Sequence, residues 1–377
     1  MSFKLFFSII GFLIITALGV AGGYILLKNK NTVVENTKPQ QKIKSNEEFL
    51  FYGWIPYWDQ KSAMQSVYNN PEIFDKVGLF WYKLSEEGDI VPYRQTIEDR
   101  RFVEFAHQNN IKVLGLIANL PEDGESTDNW DPERVERVIG SQQARQQHIQ
   151  DLVNLVVYNN FDGLALDYEN LNAEQRNDFS SFVEELARAL HEEEKTLEIA
   201  IHPKISDNPN EFQGALAQDY TRLSRAADKL HFMMYTQNGT HSQPAPSTTL
   251  EWSKDVLSYA NSQGVPNEKI VFGVGLTGTH WQINQNSFEG TSSDLTYEFI
   301  ERELQKKNSV NRIRDENTQS IEASFQEDNT FNVVWYADAK SIARMVEYAK
   351  QEGLSGVSFW RLGGEDPNIW TGGSFSD

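Results

Sequence analysis

FDGLALDYEN, residues 161–170, has the composition of a buried strand yet carries Asp162, Asp167 and Glu169. Side chains of a strand alternate between its two faces. One face is therefore Leu164, Leu166 and Tyr168, and the other is Gly163, Ala165, Asp167 and Glu169. The first is bulky and apolar, as contact with covering helices requires. The second is small at its start and acidic at its end. A strand graded in this way fits a closed barrel of parallel strands, in which the interior is packed below and opens into a cleft at the C-terminal mouth. Asp167 and Glu169 would stand at that mouth. Asp162 sits at the strand entrance, either as a turn residue or as a substrate-binding one.

Similar apolar runs recur on both sides of this stretch. They are FLFYGWIPYW (49–58), KVGLFWYKL (76–84), KVLGLIANL (112–120), LEIAIHPK (197–204), KLHFMMYTQ (229–237), KIVFGVGLTG (269–278) and GVSFWRL (356–362). Each has strand length and is bounded by polar or turn residues. Helix signals lie between them. Asp131-Pro132-Glu133 reads as an N-cap followed by proline in the first turn, and Asn172 with Gln175 reads as a capping pair before FSSFVEELARALHEEE. ADAKSIARMVEYAKQEG is amphipathic and ends at Gly353. Eight strands alternating with helices predict an α/β fold, a (β/α)8 TIM barrel spanning 48–370. A doubly wound open sheet fits less well, because no glycine-rich phosphate loop follows the first strand. The surplus length lies at about 279–335, between strand 7 and helix 7. There LTYEFIERELQKKN reads as a helix and SIEASFQEDNTFNVVWYAD as two strands around an Asp-Asn turn, giving a small α+β insertion.

The chain has no cysteine and a formal net charge of −20. Disulfides and thiolate metal sites are excluded. Nucleic acid is a poor partner, because binding to it rests on neutralising phosphates. Leu5 to Leu27 carries no charge, and about 20 apolar residues suffice to cross a bilayer. Residues 1–27 are expected to be a signal anchor, or a signal peptide if cleaved near Ala21. Lys28 and Lys30 after the span would weakly place the rest of the chain in the cytoplasm, but the character of the barrel argues for an extracytoplasmic domain. Residues 28–47 are polar, without apolar periodicity, and read as a tether.

The stretch DGLALDYE resembles the Asp-x-x-Asp-x-Asp-x-Glu strand of glycoside hydrolase family 18, the chitinase-like enzymes. HFMMYTQN resembles that family's Met-x-Tyr-Asp strand at Met233 and Tyr235, and GVSFWRLGGEDPNIW its last strand, whose tryptophan, here Trp360, floors a sugar site. The likeness covers most of 49–370 and is nearest to the branch that includes spore-cortex-lytic and polysaccharide-processing enzymes. It implies a retaining glycosidase acting on β-1,4-linked N-acetylglucosamine polymers, with Glu169, Asp167 and Tyr235 catalytic. Trp360, Asp162, Met233, Tyr57 and Trp58 would bind substrate, and no metal or other cofactor is expected. Two departures stand out: the motif's second Asp is Ala165, and the Asp after the tyrosine is Thr236. They leave a non-catalytic carbohydrate-binding protein on the same fold as the alternative. His202 and His231 read as core or strand-end residues rather than ligands.

Overall fold

The computed structural model describes residues 49–122, 129–284 and 287–371. These belong to one compact unit, Glu48–Asp377. The apolar run 5–27 and the tether 28–47 lie outside the described residues. Among the described residues, no helix is long and apolar enough to cross a membrane.

Eight parallel strands close into a barrel. They are β1 (Leu50–Pro56), β2 (Lys76–Leu84), β4 (Lys112–Ala118), β5 (Gly163–Asp167), β6 (Thr196–Ile201), β7 (Lys229–Phe232), β8 (Ile270–Gly275) and β14 (Gly356–Trp360). Pairing of β1 with both β14 and β2 closes the ring. A short β3 (Ile90–Pro92) adds antiparallel to β2. Every strand expected from the sequence is present. Helices follow the strands on the outside, and the expected caps are made. The Asp131 side chain accepts from the Glu133 N–H, with Pro132 in the first turn. Asn172 and Gln175 form a reciprocal capping box leading into the helix Arg176–Glu192. Gly353, at φ 67°, follows the helix Ala339–Gln351 in the left-handed region that glycine tolerates.

The alternation inferred for 161–169 divides two apolar clusters. Leu164, Leu166 and Tyr168 belong to the large cluster between strands and helices. Ala165 belongs to the inner cluster with Tyr52, Trp54, Phe80, Leu114, Leu116 and Val271. The inner space is tight. A Cβ at Gly78 would lie 1.9 Å from Cζ3 of Trp54, so glycine there is what lets the Trp54 indole lie inside the barrel. A register shift between Phe80 and Tyr82 turns β2, so that Phe80 faces inward while Trp81 and Tyr82 join the outer cluster.

The insertion after β8 is larger than the sequence pattern suggested. The expected helix is Tyr297–Leu304, and the expected hairpin is β12 (Ile321–Glu327) and β13 (Thr330–Tyr336), turning at Asp328 and Asn329, both at positive φ. Three further strands, β9 (Thr277–Asn284), β10 (Ser287–Thr296) and β11 (Asn311–Arg314), complete a five-stranded antiparallel sheet in the order β10-β9-β13-β12-β11.

Candidate active site

The C-terminal ends of the barrel strands surround a cavity of about 220 Å³. Asp167, Glu169, Met233, Tyr235, Trp360 and Trp130 line its upper part, and Ala165, Ala200, Gly273, Ser358, Trp54 and His231 its lower part. Asp167 is the last residue of β5, and Glu169 lies two positions beyond it. The two carboxyl groups share a hydrogen bond. Burial pushes the Asp167 carboxyl up to about 7. Burial, then the Asp167 charge, holds Glu169 well above the usual carboxylate range. Two acids buried side by side take up a proton rather than both ionise. The pair therefore holds one transferable proton near neutrality, as a general acid requires.

Asn119, fully buried at the end of β4, fixes the backbone of Glu169. Its Oδ1 accepts the Glu169 N–H at 2.8 Å, while its Nδ2 donates to the Glu169 carbonyl at 2.9 Å and to the Asp131 carbonyl at 3.0 Å. His202, just beyond β6, brings Nε2 to 3.4 Å from Glu169 Oε2. Burial draws this imidazole down to about 4, so it is neutral at pH 7. Neither residue was assigned to the site from sequence. Asn119 leaves one signal, a polar residue closing an apolar strand, whereas the position of His202 depends on its register against β5.

The Tyr235 phenol is held well above its ordinary value by burial and by Asp167, Glu169 and Asp294. It stays protonated and can donate a hydrogen bond into the cavity. The Trp360 ring lies parallel to the Tyr235 ring, at 9° and 6.4 Å. Met233 lines the same wall.

Three expected binding residues lie elsewhere. Asp162 precedes β5 at the end opposite Asp167, about 16 Å away along a strand rising about 3.3 Å per residue. Its carboxylate receives Lys112 Nζ at 2.9 Å, His107 Nε2 at 2.8 Å and the Val113 N–H at 2.8 Å. It ties the barrel floor together and does not line the cavity. Tyr57 and Trp58 occupy the turn after β1. Tyr57 stacks on Tyr93 at 3.8 Å, and Trp58 packs edge-on to Trp360 at 6.2 Å. Like Trp130 and Trp360 they pack against the inner cluster but, unlike those two, they lie outside the lining of the cavity. Trp130, at the rim, was not singled out beforehand. The other strand-end acids are engaged: Asp59 with Arg361 at 2.9 Å, Asp207 with Lys204 at 2.8 Å, and Glu365 with the Gly363 N–H at 2.6 Å. Thr236, where the resemblance expects an acid, is exposed and donates Oγ1–H to the Met233 carbonyl.

Comparison with known proteins places these features in a family. Residues 127–365, over half of the chain, match the model for glycosyl hydrolases family 18. Among curated proteins, an uncharacterized glycosylase, YvbX, of Bacillus subtilis is 23% identical over 71% of this chain and 75% of its own length. The cortical fragment-lytic enzyme of the same organism is 23% identical over 78% of this chain and 66% of its own length. Among solved structures, a chitinase of Chromobacterium violaceum superposes with a TM-score of 0.75 at 23% identity, covering 86% of this chain and 97% of that one. The Bacillus cereus spore cortex-lytic enzyme SleL gives 0.74 at 20% identity, covering 87% and 74%.

Proposed function

The chain belongs to glycosyl hydrolase family 18 and is a glycoside hydrolase, and from that premise we propose that it is a membrane-tethered, retaining enzyme that cleaves β-1,4-linked N-acetylglucosamine polymers by substrate-assisted catalysis. The observation that carries this reading is the position of the only two acids in the cavity lining that could work on a glycosidic bond. Asp167 and Glu169 are two residues apart on one strand face, so both approach from the same side. Acid and nucleophile normally flank the bond from opposite sides, about 5–5.5 Å apart in retaining enzymes. The third acid of the described lining, Glu198, lies deeper and is tied up by Lys76 and His231, so the nucleophile is assigned to the substrate. A 2-acetamido oxygen serves, and this family is among those known to use one.

In this scheme Glu169 protonates the leaving oxygen and later removes a proton from the incoming water. Asp167 orients the acetamido N–H and faces the positive charge of the oxazolinium ring. Tyr235 donates its hydroxyl hydrogen to the acetamido oxygen and aligns it. Trp360 offers its face to the sugar. Ala165, Ala200 and Gly273 leave room below for the acetyl methyl. The names of the relatives, chitinases and cortex-lytic enzymes, support an N-acetylglucosamine backbone. The uncharged run 5–27 supports an anchored protein, and the glycosidase character of the barrel, rather than the flanking charges, supports a domain outside the cytoplasm. The test is to incubate the protein with chitooligosaccharides and with peptidoglycan, and to identify products by mass and anomeric configuration. β-configured first products support the scheme, and α-configured ones refute it.

A further inference from the structure

Below Asp167 the cavity continues to a polar cluster that the scheme above leaves unused. His231, on β7, brings Nε2 to 2.6 Å from Glu198 Oε2, and Lys76 Nζ lies 2.6 Å from Glu198 Oε1. The Glu198 carboxylate is buried and kept ionised, down to about 2, by Lys76 and His231 against the pull of burial. It therefore takes a hydrogen on Nε2, and in the neutral ring Nδ1 carries the free lone pair. Nδ1 is buried without a hydrogen-bond partner. So is Oδ1 of Asp167. Both residues line the same cavity.

The register brings the two groups face to face. Leu166 pairs with Ile199, so Asp167 aligns with Ala200, and Ala200 pairs with His231. Asp167 and His231 thus flank one alanine, two strand spacings or about 10 Å apart at Cα. Both side chains point inward over a methyl group. Such a span, shortened by both side chains, is one that a single water can bridge. A water's share of volume is about 30 Å³, and the cavity holds about 220 Å³. The position that would otherwise supply a polar neighbour, two residues before Asp167 on the same face, is Ala165.

We propose that His231 is a positioning residue for Asp167, its Nδ1 sharing the proton of Asp167 Oδ1 through one water above Ala200, as a polar side chain at position 165 would otherwise do. The proton leaves Oδ1 for the water, and a proton of that water passes to Nδ1. The step starts from the pair with both carboxyls protonated: Asp167 becomes the anion that the ring charge requires, His231 becomes the cation, Glu169 keeps its own proton for the leaving group, and the net charge is unchanged. The transfer reverses when the intermediate opens. The groups facing His231 suit the role. The rings of Tyr52 and Trp54 meet it edge-on at 4.7 and 5.0 Å. Glu198 favours its cation, while Lys76 and Lys229 and, above all, burial oppose it. Asp167 and Glu169 stand across the cavity, so the imidazole is neutral at rest and gains a proton only when one is offered at close range.

The inference rests on the substrate-assisted reading for its purpose but not for its test. Histidine-labelled full chain is titrated by ¹⁵N NMR as wild type and as Asp167→Asn. Coupling predicts that the His231 ring titrates at lower pH in the variant, by half a unit or more, because its anionic neighbour is gone. An unchanged titration overturns the proposal whether or not the protein hydrolyses anything. An inert wild type with coupled titration refutes the substrate assignment alone. In the enzyme, His231→Gln keeps a donor to Glu198 but no base. The acid limb of kcat should move to higher pH with KM little changed, and Ala165→Asn in that background, offering an N–H to Oδ1, should move it back. An acid limb that stays in place in a folded His231→Gln protein overturns the proposal. If that variant does not fold, the Asp167→Asn titration decides.

Discussion

Replacing Asp167 by Asn should stabilise the protein at pH 8 and change little at pH 4. The Asp167 carboxyl is pushed up to about 7 by burial, against about 3.9 in an unfolded chain. A carboxyl whose folded value is raised contributes its full stability below the unfolded value and loses it as pH rises through the folded one. The gap of about 3 units, at roughly 1.4 kcal/mol each, sets a loss of about 4 kcal/mol at pH 8 and less than about 1 kcal/mol at pH 4. Asn keeps the shape and cannot ionise, so it escapes the loss. Glu169 adds to the effect, since it ionises more easily without an anion at 167. Against this stands the Asn amide. Glu169 can accept one of its hydrogens, but a second left without an acceptor costs about 1–3 kcal/mol. The expected net gain is about 2 kcal/mol at pH 8, with turnover lost. Urea unfolding of wild type and variant at pH 4, 6 and 8 measures it. A difference that is the same at every pH would show that Asp167 ionises in the folded protein as it does in water, which refutes a carboxyl raised by burial.

Three further outcomes follow from the same geometry. Glu169→Gln should lower kcat by about 10²–10⁴-fold while leaving oligosaccharide affinity measurable by calorimetry, because general acid–base transfer is worth that factor; retained hydrolysis would point to another acid. Gly78→Ala should cost about 1–3 kcal/mol by overpacking and raise KM, because the new methyl would meet Trp54 at 1.9 Å and push the indole into the cavity; unchanged melting and kinetics would show that Trp54 has room to move. Cellulose-type chains and fully deacetylated glucosamine chains should resist cleavage in a reducing-end assay, since neither carries the acetamide that forms the ring; release of sugar from either would restore a two-carboxylate mechanism.

The barrel was legible because its strands are buried on both faces and read as continuous apolar runs. The graded face of 161–169 carried further information, placing Asp167 and Glu169 at the mouth and Leu164 and Leu166 outside. The insertion was legible only where it is apolar. Residues 287–296, SFEGTSSDLT, form β10 with exposed and half-buried side chains throughout, so its strand state comes from pairing with β9 and leaves no alternating pattern. Asp162 illustrates a different limit. Its type and spacing fit a motif, but a residue before a five-residue strand belongs to the barrel floor, and Lys112, His107 and the Val113 amide hold it there. Asn119 and His202 reach Glu169 through strand register, which a sequence read one segment at a time does not contain.

The two departures from the family pattern alter the site's electrostatics and leave Asp167 and Glu169 in place. An acid at 165 or 236 would add negative charge near a pair that already shares one proton. With Ala165 and with Thr236, whose hydroxyl is turned to the Met233 carbonyl, the acids of the upper cavity are Asp167 and Glu169, beside two neutral partners: Tyr235, kept protonated, and His202, kept unprotonated. Such surroundings strengthen every remaining interaction, because little else screens it. They also make the site depend on where the pair's single proton resides. In the proposed scheme, a proton on Glu169 serves the leaving group, and Asp167 is then the anion that faces the ring. On Asp167 it serves neither purpose. At lower pH, where Asp167 and Glu169 are both protonated, a neutral base on the far side of Asp167, in the direction opposite Glu169, takes the Asp167 proton and leaves the Glu169 proton for the leaving group. His231, held by Glu198 and facing the one alanine between it and Asp167, is placed to be that base.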